Sequence, residues 1–173
     1  MKIGVISDTH NFLDPKVVKV FVGVEHILHG GDIGLPWLIL ELEAIAPVTA
    51  VLGNTDDGRL HFKETETVEL AGRRFLVHHI VDPRGPVPTM PLTSALSPSD
   101  GARRKLPGTG DTVRRARPDV VVFGHTHKPF CETIGGTLFF NPGYAGQSRF
   151  RLPRSVAILH CENGKIRPEY FAL

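Results

Sequence analysis

Lys2-Ile3-Gly4-Val5-Ile6-Ser7-Asp8-Thr9-His10 begins as an apolar run and ends on chemically active groups. An Ile- and Val-rich segment of this length reads as a buried strand. The plan recurs twice. His26 to Leu28 leads into Gly30-Gly31-Asp32, and Val48 to Leu52 leads into Gly53-Asn54. Helical signals fill the gaps. Asp14 is suited to an N-cap and Pro15 to the first helical position. Val17, Val20, Phe21 and Val24 then follow at helical spacing. Pro36 to Ala46 reads as a second helix, with Trp37, Leu38, Leu40, Leu42 and Ile45 as its apolar face. A β-α-β-α-β order calls for parallel strands joined by right-handed crossovers.

The remainder has a different rhythm. Thr67 to Leu70 and Arg74 to Val77 flank Ala71-Gly72, a hairpin signal. Asp119 to Phe123 is an apolar strand running into Gly124. Gly135-Gly136 separates Cys131 to Ile134 from Thr137 to Phe140, and Glu162-Asn163-Gly164 separates Val156 to His160 from Lys165 to Tyr170. A parallel half joined to a hairpin-rich half predicts two sheets packed face to face with helices outside. The 173 residues suffice for one domain. Residues 82–111, rich in Pro and Gly, read as a long loop, either a lid or a disordered segment. A short helix is expected over Thr112 to Arg117.

Composition narrows the function. Hydrophobic residues make up 41% and charged residues 22%, ordinary globular usage. A net charge of +2 gives no case for nucleic acid. No apolar run approaches the roughly 20 residues of a membrane helix. The first strand leaves no room for a signal peptide ahead of it, so a cytoplasmic location is expected. Cys131 and Cys161 are too far apart for a C-x-x-C pair and read as thiols without chemistry.

Asp8, His10, Asp32, Asn54, His78, His125 and His127 all stand at predicted strand ends. Open α/β sheets place ligands there. Carboxylate, amide and imidazole donors in such a set suit divalent transition metals. Asp8 and His10 are two apart, so an extended loop can aim both side chains the same way. His125 and His127 repeat the spacing.

The series Asp8-x-His10, Gly31-Asp32, Gly53-Asn54, His78 and Gly124-His125-Thr126-His127, with Asn141-Pro142-Gly143 after it, resembles the calcineurin-like metallophosphoesterases. Within them it is similar to the small bacterial and archaeal phosphodiesterase branch. The resemblance spans nearly the whole chain outside the Pro-rich loop. It implies a four-layer α/β/β/α sandwich of two mixed sheets with helices outside. It also implies two divalent metals, manganese foremost, with nickel, iron, cobalt and zinc as alternatives. Asp8, His10 and His127 would hold one metal, Asn54, His78 and His125 the other, and Asp32 would bridge them. Asp32, Asn54 and His78 are thereby the expected catalytic residues. The implied reaction is in-line attack on phosphorus by a hydroxide shared between the metals.

Three departures bear on the reading. Thr55 stands where many members of the superfamily carry a histidine that assists the leaving group. Thr is no general acid near neutral pH, which favours diesters over monoesters. His78 is followed by His79, the alternative ligand. Tyr144 takes the place of a serine after the N-P-G turn and either borders the pocket or packs. Asp56 either orients a ligand or holds a turn, and His29 is either structural or a support for the site. Arg103-Arg104-Lys105, Arg114-Arg115-Arg117 and Arg149-Arg151-Arg154 are basic clusters, of which Arg149 has the best case for a phosphate contact. The expected partner is a small phosphodiester; a homo-oligomer is compatible with the chain. Competing readings are a nuclease, a cyclic-nucleotide phosphodiesterase, and a non-catalytic metal-binding scaffold of the same fold.

Overall fold

Along each central strand, successive side chains serve two different cores, as the period-two geometry of a strand requires. The computed structural model describes residues 1–84, 117–148 and 152–173. Its strands and helices run β1 (Lys2–Ile6), α1 (Pro15–Val20), β2 (His26–His29), α2 (Pro36–Glu43), β3 (Val48–Ala50), β4 (Thr65–Leu70), β5 (Arg73–His78), β6 (Val120–Val122), β7 (Phe130–Ile134), β8 (Thr137–Asn141), β9 (Ser155–Glu162) and β10 (Lys165–Ala172). They form two five-stranded sheets, ordered β10-β9-β1-β2-β3 and β4-β5-β6-β8-β7. Both are mixed. β1, β2 and β3 pair in parallel, as the β-α-β-α-β reading requires, and so do β5, β6 and β8.

The cores follow from the alternation. Ile3 and Val5 of β1 join Leu28, Ala157, Leu159, Phe75, Val77, Val120, Val122 and Phe140 in the layer between the sheets. Ile6, Ile27, Val156 and Ile158 face the opposite way, onto Val17 of α1, Phe21 just after it, and Leu38, Ile39 and Leu42 of α2. Leu76, Val121 and Phe139 form a third cluster on the far side of the second sheet. Burying a Leu, Ile or Phe side chain contributes about 1.5–3 kcal/mol, so these three layers dominate the stability of the fold.

Several expectations shift at element ends. The Asp14 carboxylate accepts from the Lys16 N–H at 2.9 Å, the expected cap, but α1 stops at Val20 and residues 21–23 form turns. Its three valines lose side-chain freedom in a helix and shorten it. In α2 the sheet-facing residues are Leu38, Ile39 and Leu42; Trp37 and Leu40 point outward, at 42% and 65% exposure. Ala71-Gly72, Gly135-Gly136 and Asn163-Gly164 make two-residue turns with both residues at positive φ, as hairpins with right-handed twist favour. Most of the Pro-rich loop, the helix expected at its end, Arg103-Arg104-Lys105, Arg114-Arg115, Arg149 and Arg151 lie outside the described residues. Among the described residues no helix is long and apolar enough to cross a membrane.

Candidate metal centre

The carboxyl ends of five parallel strands converge on one edge between the sheets. Asp8 and His10 follow β1, Asp32 follows β2, Asn54 follows β3, His79 follows β5, and His125 and His127 follow β6. Asp8, His10, Asp32, His125 and His127 have φ between 44° and 66°. The loops are therefore not extended, and the shared direction of Asp8 and His10 comes from left-handed backbone instead. Asp and His tolerate that region better than bulkier residues, at a cost on the order of 1 kcal/mol each. Such conformations concentrate at ligand sites because packing elsewhere imposes them.

Two buried carboxylates make the floor. Asp8 is 0% exposed and Asp32 2%. The Ser7 hydroxyl donates to Asp8 Oδ2 at 2.7 Å, and the His125 N–H points at both Asp8 oxygens. The Thr55 N–H donates to Asp32 Oδ1 at 2.8 Å. Burial opposes ionisation of Asp32, but the hydrogen bonds from His79 and Thr55 outweigh it and hold the carboxyl below its usual range. Imidazoles and an amide stand around the floor. His127 Nε2 lies 3.3 Å from Asp8 Oδ1, and His10 Nε2 lies 3.7 Å from Asp32 Oδ2. Asn54 Oδ1 is 3.1 Å from His79 Nε2 and 2.8 Å from His125 Nδ1. His125, His10 and Asn54 are open to solvent on the upper side, so the site has a buried anionic base and an accessible rim.

The adjacent histidines part company, and here the sequence expectation is corrected in placement. His78 does not face the cluster. It pairs in register with Thr65 of β4, and its Nδ1 lies 2.7 Å from the Thr65 hydroxyl. His79 is 2% exposed and faces Asp32 Oδ2 at 3.4 Å and Asp8 Oδ1 at 4.0 Å. The cause is strand parity. Phe75 and Val77 face the inter-sheet layer, Leu76 and His78 face away, and His79 returns to the inner side. Counting alternation from Phe75, rather than asking where the strand ends, identifies His79 from sequence.

His79 also supplies a test of what the site can hold. Its Nδ1 is 2.7 Å from the Gly30 carbonyl, an acceptor only, so Nδ1 carries a proton. In the neutral ring Nε2 is then a lone pair aimed at Asp32 Oδ2 and Asn54 Oδ1, two more electron-rich atoms. Such a convergence calls for a cation. Without a metal the answer is a proton: burial disfavours it, but Asp32, Asp8 and the Gly30 carbonyl together raise the His79 pKa. His127 is likewise raised, chiefly by its hydrogen bond to Asp8. Asp8, His10 and His127 bring one donor atom each within 4.8 Å of one another, and so do Asp8, Asp32 and His79. The donor set therefore fits divalent cations.

A supporting layer, only partly legible beforehand, holds the loops. The Asp56 carboxylate accepts from the N–H groups of Ile33 (3.1 Å), Gly34 (2.7 Å) and Gly53 (2.8 Å), tying the Asp32 loop to the Asn54 loop. Buried His29 accepts from the Gly31 N–H at Nδ1, so its Nε2 donates to the Thr9 hydroxyl at 3.0 Å, and Thr9 in turn donates to the Ile33 carbonyl. Burial lowers the His29 pKa to about 4. Asn141 Nδ2 donates to the Gly124 carbonyl at 2.8 Å, and its Oδ1 accepts from the Gly143 N–H, so the N-P-G turn braces the His125–His127 loop. Gly53 admits no side chain unless Asp32 shifts, since a Cβ there would overlap the Asp32 carboxylate and backbone nitrogen. Tyr144, 3% exposed, stacks on His127 with ring centroids 4.6 Å apart.

Residues 1–164 match the model of the calcineurin-like phosphoesterase superfamily domain. A probable metallophosphoesterase of Methanothermobacter thermautotrophicus is 34% identical, over 98% of this chain and 91% of its own. A phosphodiesterase of Methanocaldococcus jannaschii is 29% identical, over 96% and 97%. Among solved structures, wild-type Vps29 of Entamoeba histolytica, crystallised with Zn2+, shares the fold at a TM-score of 0.67, with 19% identity over 99% of both chains.

Proposed function

Because the chain belongs to the calcineurin-like phosphoesterase superfamily, we propose that it is a metal-dependent phosphodiesterase with a binuclear centre. The observation that carries this reading is the convergence of Asp32 Oδ2 (3.4 Å) and Asn54 Oδ1 (3.1 Å) on His79 Nε2, an arrangement that fits a cation between them. Asp8, His10 and His127 would hold one cation; Asn54, His79 and His125 would hold the other; Asp32 would bridge. Manganese heads the candidates on the family resemblance and suits the three oxygen donors, while the four imidazoles suit zinc, iron and nickel as well. When bound, the pair supplies an acidified water and neutralises charge on the phosphoryl oxygens.

The chain's own residues determine how that chemistry is used. Asp8 and Asp32 are sealed from solvent at the floor, so a phosphoryl group reaches the site from the His10, His125 and Asn54 rim. Gly30 fixes the His79 tautomer, leaving Nε2 as the donor atom. Thr55 Oγ1 lies 3.4 Å from His10 Nδ1 and helps to orient that ring, although a hydroxyl, able to donate or accept, does not select its tautomer. The Thr55 hydroxyl has no acidity with which to protonate a leaving group. That favours diesters whose leaving groups depart unaided, and the phosphodiesterase relative agrees with it.

Hydrolysis of a bis-aryl phosphate diester against the matching monoester, with Mn2+, Ni2+, Zn2+ or chelator, tests the reading. Metal-dependent cleavage of the diester in preference to the monoester, lost in Asp32→Ala, is expected. Turnover that survives both chelation and that substitution overturns it. Cation binding with no hydrolysis of either ester identifies a scaffold instead.

A further inference from the structure

Tyr144 occupies a position that the fold has built with care for its backbone, and its ring meets two candidate ligands of one cation. Ser155 N–H donates to the Tyr144 carbonyl at 2.8 Å, and the next residue, Ala145, donates to the Ser7 carbonyl at 3.1 Å, immediately before Asp8. The hydroxyl donates to the Gln147 carbonyl at 2.9 Å. Arg154, paired with Asp14 at 2.8 Å, also donates to the Gly146 carbonyl. Held in this way, the ring stacks on His127 at 4.6 Å with 29° between planes, and lies 6.0 Å from the His10 ring. Among the described residues, His79 and His125 have no such ring neighbour beyond each other.

An imidazole ligates well only when its ring plane aims the lone pair at the cation, and a neighbour that holds the plane raises affinity. For most such rings the neighbour is a hydrogen-bond acceptor on the far nitrogen, as Gly30 is for His79. For His127, among the described residues, the neighbour is instead the face of the Tyr144 ring. We propose that Tyr144 is a positioning residue for one half of the centre: its stacked ring sets the orientation of His127 and so raises the affinity of the cation held by Asp8, His10 and His127, leaving the other cation unaffected. The inference rests on the two-cation reading above. It assigns Tyr144 no contact with substrate, in keeping with its 3% exposure.

Mn2+ titration of the chelator-treated full-length protein, by calorimetry and by electron paramagnetic resonance of free Mn2+, tests it without reference to turnover. The wild type is expected to bind in two events. In Tyr144→Leu one event weakens about three- to tenfold, the range of an aromatic pair, while the other stays within twofold. The weakened event is the one that His127→Ala removes. Tyr144→Phe, which keeps the ring and loses the hydroxyl, titrates like the wild type. Tyr144→Met replaces the leucine variant if that chain does not fold, as judged by circular dichroism. Two unchanged events in a folded Leu or Met variant overturn the proposal, as do two equally weakened events. A Phe variant as weak as the Leu variant also overturns it, because the hydroxyl's hold on the loop is then the cause. A wild type that binds no Mn2+ removes the two-cation premise itself and is recognised before any variant is compared.

Discussion

His79 Nε2 stands 3.4 Å from Asp32 Oδ2 while the neighbouring His78 turns its ring to Thr65 on the other face of the same sheet. Two adjacent histidines thus have opposite roles, and alanine substitution separates them. His79→Ala should lower Mn2+ affinity and diester turnover at least about 100-fold, beyond the usual effect of losing a ligand's supporting partner. His78→Ala should stay within a few-fold of wild type. Equal losses in the two variants would contradict the assignment.

Asp56 is the only described side chain that accepts backbone N–H groups from both the Asp32 and Asn54 loops. In Asp56→Asn the NH2 end cannot accept, and it meets at least one of those N–H groups head-on. Hydrogen bonds to a charged group contribute about 1.5–3 kcal/mol each, so urea denaturation in chelator should show a loss on the order of 2 kcal/mol. Mn2+ affinity should fall roughly 10- to 100-fold. A variant as stable and as tightly binding as wild type would remove the loop-tying role.

Gly53→Ala separates crowding from chemistry, because it changes no functional group. Its methyl would displace the Asp32 carboxylate from the Thr55 N–H. The expected result is a folded protein with diester turnover reduced more than about tenfold, the scale reached when a supporting contact of a ligand is lost. Full activity in this variant would mean that the Asp32 loop relaxes freely.

His29 makes stability depend on acid in one direction. Its folded-state pKa of about 4 lies below the 6.5 of an ordinary histidine. Between those values the unfolded chain takes up a proton that the folded chain refuses, so stability is present above pH 6.5 and is lost as pH falls toward 4. The full loss is on the order of 3 kcal/mol. Urea denaturation in chelator at pH 7 and pH 4.5 should show a smaller drop for His29→Gln than for wild type. His79 and His127, with raised values, act with the opposite sign and are common to both proteins. Identical pH dependence in the two chains would rule out His29 as the group responsible.

Removing metal should lower thermal stability as well as activity. A cation at 100 times its dissociation constant stabilises the folded state by about 2.7 kcal/mol. For a domain of this size that corresponds to a melting temperature roughly 5–10 °C higher with Mn2+ than with chelator. The difference should vanish in Asp32→Ala.

Much of this architecture was legible in local chemistry. Apolar runs ending on Ser-Asp, Gly-Asp or Gly-Asn placed β1, β2 and β3 and their parallel order, because a strand's length and a crossover's handedness follow from short-range pattern. Gly135-Gly136 and Asn163-Gly164 placed hairpins, since few other pairs reach positive φ at both turn positions. The donor types at strand ends pointed to divalent cations for the same reason: ligand preference belongs to the side chain, wherever it sits.

Orientation and support were decided only by the assembled sheets. His78 and His79 have identical chemistry, and which one faces Asp32 depends on the strand parity set by Phe75 and Val77 against the second sheet. Left-handed backbone, not extension, aims Asp8 with His10 and His125 with His127, because loops packed between two sheets impose conformations that isolated segments avoid. Asp56, Thr9, His29, Asn141 and Tyr144 acquire their roles from partners 17 to 24 residues away in sequence. A residue's chemistry is written locally; the direction in which it acts is a property of what packs behind it.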